Sequence, residues 1–175
     1  MKSWVFKILL LGDSAVGKTT MIKRFIENEF KEDYKETLGV NIVRKLINLE
    51  ELNSKVSLLI WDIAGQERYE ERRKFYYEGC VGALLVYDIT RYSSFEHIEI
   101  KWLRHYKEHM EKDIPLILIG NKDDLEDQRY ISKEDAEKFS NKIGAIEFIE
   151  TSAKTGHRVN FAFIELIKAI LNQNG

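Results

Sequence analysis

The chain has 175 residues, and 27 lysine and arginine side chains against 29 aspartate and glutamate side chains give a formal net charge of −2. This balance argues against general nucleic-acid binding, which needs a domain-wide excess of basic charge. The hydrophobic fraction of 44% excludes disorder for most of the length, and the single cysteine, Cys80, excludes an internal disulfide and is predicted to lie in the core.

Apolar runs and amphipathic stretches alternate along the chain. The apolar runs that predict strands are Val5–Leu11, Val56–Ile60, Val81–Tyr87, Leu116–Ile119 and Ala145–Ile149. Two further stretches, Val40–Leu49 and Lys55–Trp61, flank Asn53-Ser54 and are typical of an antiparallel hairpin. The patterns that predict helices are Thr20–Glu29, Ser94–Met110, the stretch that opens at Ser132, and the apolar repeat from Phe163 to Leu171. Nearly continuous apolar strands are typical of a parallel sheet covered on both faces. A hairpin is predicted around Asn53-Ser54, and the remaining alternation predicts a mostly parallel three-layer α/β sandwich.

In such a sandwich ligands bind at the carboxyl ends of the strands. The first strand is followed there by Gly12-Asp-Ser-Ala-Val-Gly-Lys-Thr19, with a helix predicted directly after it. This pattern, G-x-x-x-x-G-K-[ST] between strand and helix, predicts a phosphate loop. Lys18 would contact the β- and γ-phosphates and Thr19 would bind Mg²⁺. A chance match in a glycine-containing turn is the alternative, and the strand and helix on either side disfavour it.

The strand predicted at Val56–Ile60 is followed by Trp61-Asp62-Ile-Ala-Gly65-Gln66. An aspartate at this place beside a phosphate loop is what a second Mg²⁺ anchor requires. Gly65 could bring its N–H group to a terminal phosphate, and Gln66 could orient water. Taken alone, Asp62 is more often a cap at a strand end, and it is the phosphate loop that favours the metal anchor.

Two polar segments follow the next strands, Gly120-Asn-Lys-Asp-Asp124 and Thr151-Ser-Ala-Lys154. The Asp124 carboxylate could accept two hydrogen bonds from the N1–H and exocyclic amine of guanine, a donor pair that adenine lacks. The backbone N–H of Ala153 could donate to the guanine O6. Either segment alone is more simply explained as a polar turn between a strand and a helix.

Together these segments resemble the small GTPases of the Ras superfamily. The five matching segments, in order and at near-standard spacing, are Gly12–Thr19, Thr37, Asp62–Gln66, Asn121–Asp124 and Thr151–Lys154. The chain is most similar to the Rab branch. The residues that carry this similarity are Leu85–Thr90, Trp61, the pair Tyr76-Tyr77 before Gly79 and, more loosely, Leu38–Ile42.

The resemblance implies a P-loop NTPase fold over residues 1–175, with a six-stranded, mostly parallel sheet, one antiparallel edge strand and five helices. It implies a switch that binds GTP or GDP with Mg²⁺ and hydrolyses GTP slowly unless a partner stimulates it. The residues implied to contact the nucleotide are Asp13, Ser14, Ala15, Val16, Gly17, Lys18, Thr19, Thr20, Phe30, Tyr34, Thr37, Gly65, Asn121, Lys122, Asp124, Ser152, Ala153 and Lys154. The implied Mg²⁺ ligands are Thr19, Thr37 and Asp62, and the implied catalytic residues are Gln66, Lys18 and Thr37.

Partners are implied as well. An exchange factor, a GTPase-activating protein and effectors would bind through residues 34–45 and 62–78. Ile63, Asn41 and the charged stretch Glu67–Phe75 depart from the usual pattern, which leaves the identity of the effectors open. Since no cysteine follows Cys80, we expect a cytoplasmic protein without its own membrane anchor, which reaches membranes only through a partner or an additional C-terminal tail.

Two other functions stay open on the sequence. A P-loop kinase for a small acceptor would need a lid with catalytic arginines, and the short connections show no insertion for the acceptor. A nucleotide-bound binding module without significant hydrolysis would be favoured if Lys18, Thr37 or Gln66 were replaced, and all three are present.

Overall fold

A computed structural model describes residues 1–27, 39–65 and 75–174 of the chain. Six strands lie in these ranges. They are β1 Lys2–Leu11, β2 Val40–Leu49, β3 Ser54–Ile63, β4 Cys80–Asp88, β5 Leu116–Asn121 and β6 Glu147–Thr151. The apolar runs predict five of these strands in their places, with boundaries that differ by a few residues, and the hairpin pattern predicts β2.

The six strands form one sheet in the order β2-β3-β1-β4-β5-β6. Strand β2 lies at an edge and pairs antiparallel with β3, whereas the other four pairings are parallel. A 3₁₀ turn at Glu50–Leu52 and Asn53, at φ +46°, connect β2 to β3. The prediction of a six-stranded, mostly parallel sheet with one antiparallel edge strand is confirmed.

Helices cover both faces of the sheet. They are α1 Lys18–Glu27, α2 over residues 92–109, α3 Lys133–Ile143 and α4 Val159–Asn174. Alternate residues of β1 belong to different cores, because successive side chains of a strand point to opposite faces. Ile8 packs in the cluster that includes α1 and α4, and Leu9 packs in the cluster that includes α2 and α3.

Helix α2 is not uniform. It is α-helical over Tyr92–His97, π-helical over Ile98–Leu103 and α-helical again over Arg104–His109. On the sequence, the spacing of four between His105 and His109 favours a solvated face of this helix over a metal site. That interpretation is wrong for His105, which is buried. Its ring lies beside that of His109, with 6.3 Å between the ring centroids.

The parallel pairings bring the carboxyl ends of β1, β3, β4, β5 and β6 to one edge of the sheet. Asp88 lies opposite Asn121, and Asn121 lies opposite Thr151. Residues far apart in sequence therefore meet at this edge. None of the described helices combines the length and the apolar character that crossing a lipid bilayer requires.

Candidate functional site

The phosphate loop runs from the end of β1 to the start of α1. Lys18, the first residue of α1, is buried and extends its side chain back over the loop. Its Nζ donates to the carbonyl oxygens of Gly12, at 2.6 Å, and Asp13, at 2.9 Å. The ammonium group is thus held at the loop, where its charge adds to the positive potential of the α1 N-terminus. The residues that line the cavity at this loop are Ser14, Ala15, Gly17, Lys18, Thr19, Thr20 and Gly65.

Three residues of the loop have a positive φ, and Gly12 is one of them at +156°. Ala15 lies at φ +63° and Gly17 at φ +101°. A Cβ atom on Gly17 would lie 2.3 Å from Nδ2 of Asn121, so the close approach of these two segments requires glycine. Ala15 is not a glycine, so its left-handed backbone conformation costs energy. Residues strained in this way are typically found at functional sites. Val16 has its side chain in the hydrophobic core, and only its backbone belongs to the loop surface.

Two of the three predicted Mg²⁺ ligands lie together. The Thr19 hydroxyl, on α1, donates to Oδ2 of Asp62, which is fully buried near the end of β3. Hydroxyl and carboxylate oxygens are the hard ligands that Mg²⁺ prefers, and Mg²⁺ usually completes its shell with phosphate and water. The donor set therefore fits magnesium at the phosphate loop.

Gly65 packs directly on the phosphate loop. A Cβ atom at this position would lie 2.2 Å from the backbone nitrogen of Ser14, closer than real Cβ contacts come. The preceding residue, Ala64, donates its N–H to the carbonyl oxygen of Gly39 at 2.8 Å, which joins the end of β3 to the segment before β2. Glycine at position 65 therefore lets the chain after β3 touch the loop.

Asn121 connects the phosphate loop to both polar segments on this edge of the sheet. Its side chain is buried, and Nδ2 donates to the carbonyl oxygen of Val16 at 2.9 Å. Its Oδ1 accepts from the Thr151 hydroxyl at 3.0 Å and from the backbone N–H of Ala153 at 3.2 Å. One side chain thus sets the distance between the loop for phosphates and the segments predicted to bind the base.

A second cavity, of about 230 Å³, lies next to the phosphate loop. The residues that line it are Gly17, Thr20, Asn121, Lys122, Asp124, Leu125, Ala153 and Lys154. Asp124 is held in place at this cavity because Ser152 donates its hydroxyl to Oδ1 at 2.7 Å. The residues predicted to contact the phosphates and the base, where they lie in the described ranges, therefore either line two adjoining cavities or pack against the residues that line them.

The ammonium group of Lys122, as well as its alkyl chain, makes contacts at the site. Its Nζ donates to the carbonyl oxygen of Ala15 at 2.9 Å and lies 2.8 Å from Oδ2 of Asp88, at the end of β4. Burial alone would raise the pKa of Asp88, but hydrogen bonds from Lys122 and from Thr90 outweigh burial, and the pKa lies below its ordinary value. Asp88 is therefore held as a carboxylate that orients Lys122.

Four of the predicted site residues, Phe30, Tyr34, Thr37 and Gln66, lie outside the described residues. Asp13 lies at the loop, but its carboxylate is bonded to helix α2 rather than turned into the cavity.

The sequence gives no signal for Arg24 as a site residue, because a basic residue on an amphipathic helix is by default assigned to the solvent face. Its guanidinium donates to the carbonyl oxygens of Ala153, at 3.0 Å from Nε, and of Lys154.

Comparisons with known proteins show which family the chain is similar to. The sequence model of the Ras family matches residues 7–172. The Ras-related protein RABA4b of Arabidopsis thaliana is 47% identical over 169 residues, which cover 97% of this chain and 74% of the relative. The Ras-related protein Rab11C of Nicotiana tabacum is 45% identical with the same coverage. The Ras-related protein Rab-8B of Pongo abelii is 42% identical over 97% of this chain and 80% of its own length.

Proposed function

Because the chain belongs to the Ras family, we propose that the two adjoining cavities at the carboxyl edge of its sheet are one site for GTP or GDP with Mg²⁺. The family assignment makes the protein a small GTPase, a switch of the kind that Rab-like trafficking regulation uses. We propose that residues 1–175 form one GTPase domain, in which individual residues bind the nucleotide and hydrolyse GTP as follows.

At the phosphate end, Lys18 and the loop N–H groups bind the β- and γ-phosphates. Thr19 and Asp62, together with Thr37, would hold Mg²⁺, which when bound neutralises charge on the phosphate oxygens. Gly65 supplies a backbone N–H to the terminal phosphate. Catalysis here consists of positioning and of stabilising charge on the transferred phosphoryl group, and Gln66 orients the attacking water.

At the base end, Asp124 and Ala153 select guanine. The Asp124 carboxylate accepts from the two N–H donors on one edge of the base, and the Ala153 N–H donates to O6. The observation that carries this assignment is the bonding of Asn121 to Val16, Thr151 and Ala153, because it brings the base-reading segment to the phosphate loop. Lys122 and Lys154 border the base with their alkyl chains.

Slow intrinsic hydrolysis is part of the proposal. Residues 30–40 contain no arginine, so this segment cannot supply an arginine finger to the transition state. Such a finger raises the rate about 10³- to 10⁵-fold in Ras-type enzymes. We propose that a GTPase-activating protein supplies this charge, and that exchange factor and effectors bind through residues 34–45 and 62–78, from a cytoplasmic location.

The nucleotide specificity tests the proposal. Nucleotide that copurifies with the protein, released by denaturation and identified by mass spectrometry, should be GDP or GTP. The variant Asp124→Asn should bind xanthosine diphosphate better than GDP, because asparagine offers one donor and one acceptor and xanthine has a carbonyl in place of the amine. A hydrogen bond to a charged group such as this carboxylate contributes about 1.5–3 kcal/mol.

The matched control is Asp127→Asn, an exposed aspartate in the same turn, which should keep the preference for GDP. Copurified adenine nucleotide would overturn the proposed base specificity. An Asp124→Asn variant that binds GDP as tightly as the parent protein would show that another group reads the base.

A further inference from the structure

The carboxylate of Asp13, in the phosphate loop, is bonded to helix α2. Trp102 donates its indole N–H to Oδ1 at 2.9 Å, and Nδ1 of His97 lies 2.5 Å from Oδ2. Trp102 is fully buried, and the Asp13 side chain is only 15% exposed. Both oxygens of the carboxylate therefore face one helix, and the Asp13 side chain connects the loop to that helix.

The π-helical segment explains how two residues of one helix reach the same carboxylate. His97 and Trp102 are five positions apart, and residues turn by about 100° each in an α-helix, so their side chains would point about 140° apart. A π-helix hydrogen-bonds residue i to residue i+5, which brings such a pair to one face. The segment Ile98–Leu103 is π-helical, and the two side chains converge on Asp13.

Helix α2 and the residue before it also bond to two backbone carbonyls of the site. Arg91, which precedes the helix, donates from Nη2 to the carbonyl oxygen of Ser14 at 2.6 Å. Lys101 donates from Nζ to the carbonyl oxygen of Gly65 at 3.3 Å. Since Gly65 packs on the backbone nitrogen of Ser14, these contacts act on the two segments that would face the terminal phosphate.

We infer that helix α2 positions the phosphate loop, with Asp13 as the positioning residue through which Trp102 and His97 hold it. The inference rests on the proposed nucleotide site. Phosphate binding by a loop depends on the direction of its N–H groups, and the direction of a short loop follows from where it is anchored. Lys18 anchors the loop from α1 through the carbonyl oxygens of Gly12 and Asp13, and α2 anchors it from the opposite core.

The test is the variant Trp102→Phe, which keeps an aromatic ring and removes the N–H donor. The dissociation constant for GDP should rise about tenfold, equivalent to about 1.4 kcal/mol. The single-turnover rate of hydrolysis of preloaded GTP should fall several-fold. The preference for GDP over inosine diphosphate, which lacks the exocyclic amine, should stay within twofold of the parent value, because the base cavity is held by Asn121.

Two further variants complete the experiment. His97→Gln, at a 37% exposed position, should raise the dissociation constant for GDP about threefold and gives a readout even if Trp102→Phe does not fold. In the double variant Asp13→Ala with Trp102→Phe, the effect should equal that of Asp13→Ala alone. The control is Glu99→Gln on the same helix, whose carboxylate pairs with Lys142 at 2.8 Å on the outer surface, and it should bind GDP as the parent does.

A purely structural role for these contacts would lower the urea midpoint of Trp102→Phe and leave GDP affinity and hydrolysis rate at 20 °C unchanged, which would overturn the inference. A changed ratio of GDP to inosine diphosphate affinity would overturn it too, because the effect would then reach the base cavity. Failure of the parent protein itself to bind GDP would instead overturn the proposed function, and the inference with it.

Discussion

Replacing Asn121 by alanine removes the side chain that joins the phosphate loop to the segment that we propose reads the base. Three hydrogen bonds are lost, to the carbonyl oxygen of Val16, the hydroxyl of Thr151 and the N–H of Ala153. Asn121 is buried, so its former partners lose these bonds in the interior, where an unsatisfied polar group is costly.

The expected loss follows from these three bonds. A hydrogen bond contributes about 0.5–1.5 kcal/mol net, so Asn121→Ala should lower the free energy of unfolding by about 3 kcal/mol. Thr151→Val removes one bond of the three and should cost about 1 kcal/mol. Against a total stability of about 5–15 kcal/mol for a domain, the first loss is large and the second moderate.

The assay is equilibrium unfolding in urea at a fixed excess of GDP and Mg²⁺, followed by tryptophan fluorescence. The dissociation constant for GDP is measured separately for each variant, because bound ligand adds RT ln(1 + [L]/Kd) to the measured stability. The matched control is Asn141→Ala, an exposed asparagine on α3, which should change stability by less than about 0.5 kcal/mol. If Asn121→Ala, corrected for ligand, costs no more than Thr151→Val, the three bonds do not act as described.

Three other outcomes are expected. Burial raises the pKa of the Cys80 thiol to about 11, so at pH 8 about one molecule in a thousand carries the thiolate and a disulfide reagent should label it only after urea is added. The difference in unfolding free energy between the parent and Asp88→Asn should be largest at neutral pH and narrow as pH falls below about 4, because a lowered carboxyl pKa stabilises only above that range. Arg24→Ala, which frees the carbonyl oxygen of Ala153, should weaken GDP binding about tenfold, measured by displacement of a fluorescent nucleotide, since a charged hydrogen bond contributes about 1.5–3 kcal/mol.

Each of these expectations has an opposing result. Labelling of the native thiol at the rate of free cysteine would contradict the burial of Cys80. A stability difference for Asp88→Asn that stays constant between pH 7 and pH 3 would show that its ionisation is not linked to folding. An Arg24→Ala variant with unchanged GDP affinity would show that the guanidinium does not support the segment proposed to read the base. The control for loss of a positive charge is Arg104→Ala, at an exposed position.

The strand pattern and the motifs of this protein follow from local sequence. Nearly continuous apolar runs such as Val81–Tyr87 exist because strands buried on both faces need apolar side chains at every position. The stretch Gly12–Thr19 is readable because only certain residue types give a backbone that wraps phosphate beside a lysine and a hydroxyl. Local chemistry therefore predicted the sheet, the phosphate loop and the residues that line it.

The contacts that hold the site in shape depended on tertiary structure. Arg24, His97 and Trp102 are ordinary residues of amphipathic helices, and nothing in the pattern around them indicates which atom each will meet. Helical periodicity assumes 3.6 residues per turn, so it could not show that Ile98–Leu103 is π-helical and turns His97 and Trp102 to one face. The burial of His105 and the bonding of the Asp13 carboxylate to α2 also depend on how the helices pack, which the local sequence does not indicate. The sequence determines which groups are present at each strand end, whereas the packing of helices on both faces of the sheet decides which of those groups meet the nucleotide and which hold the others in place.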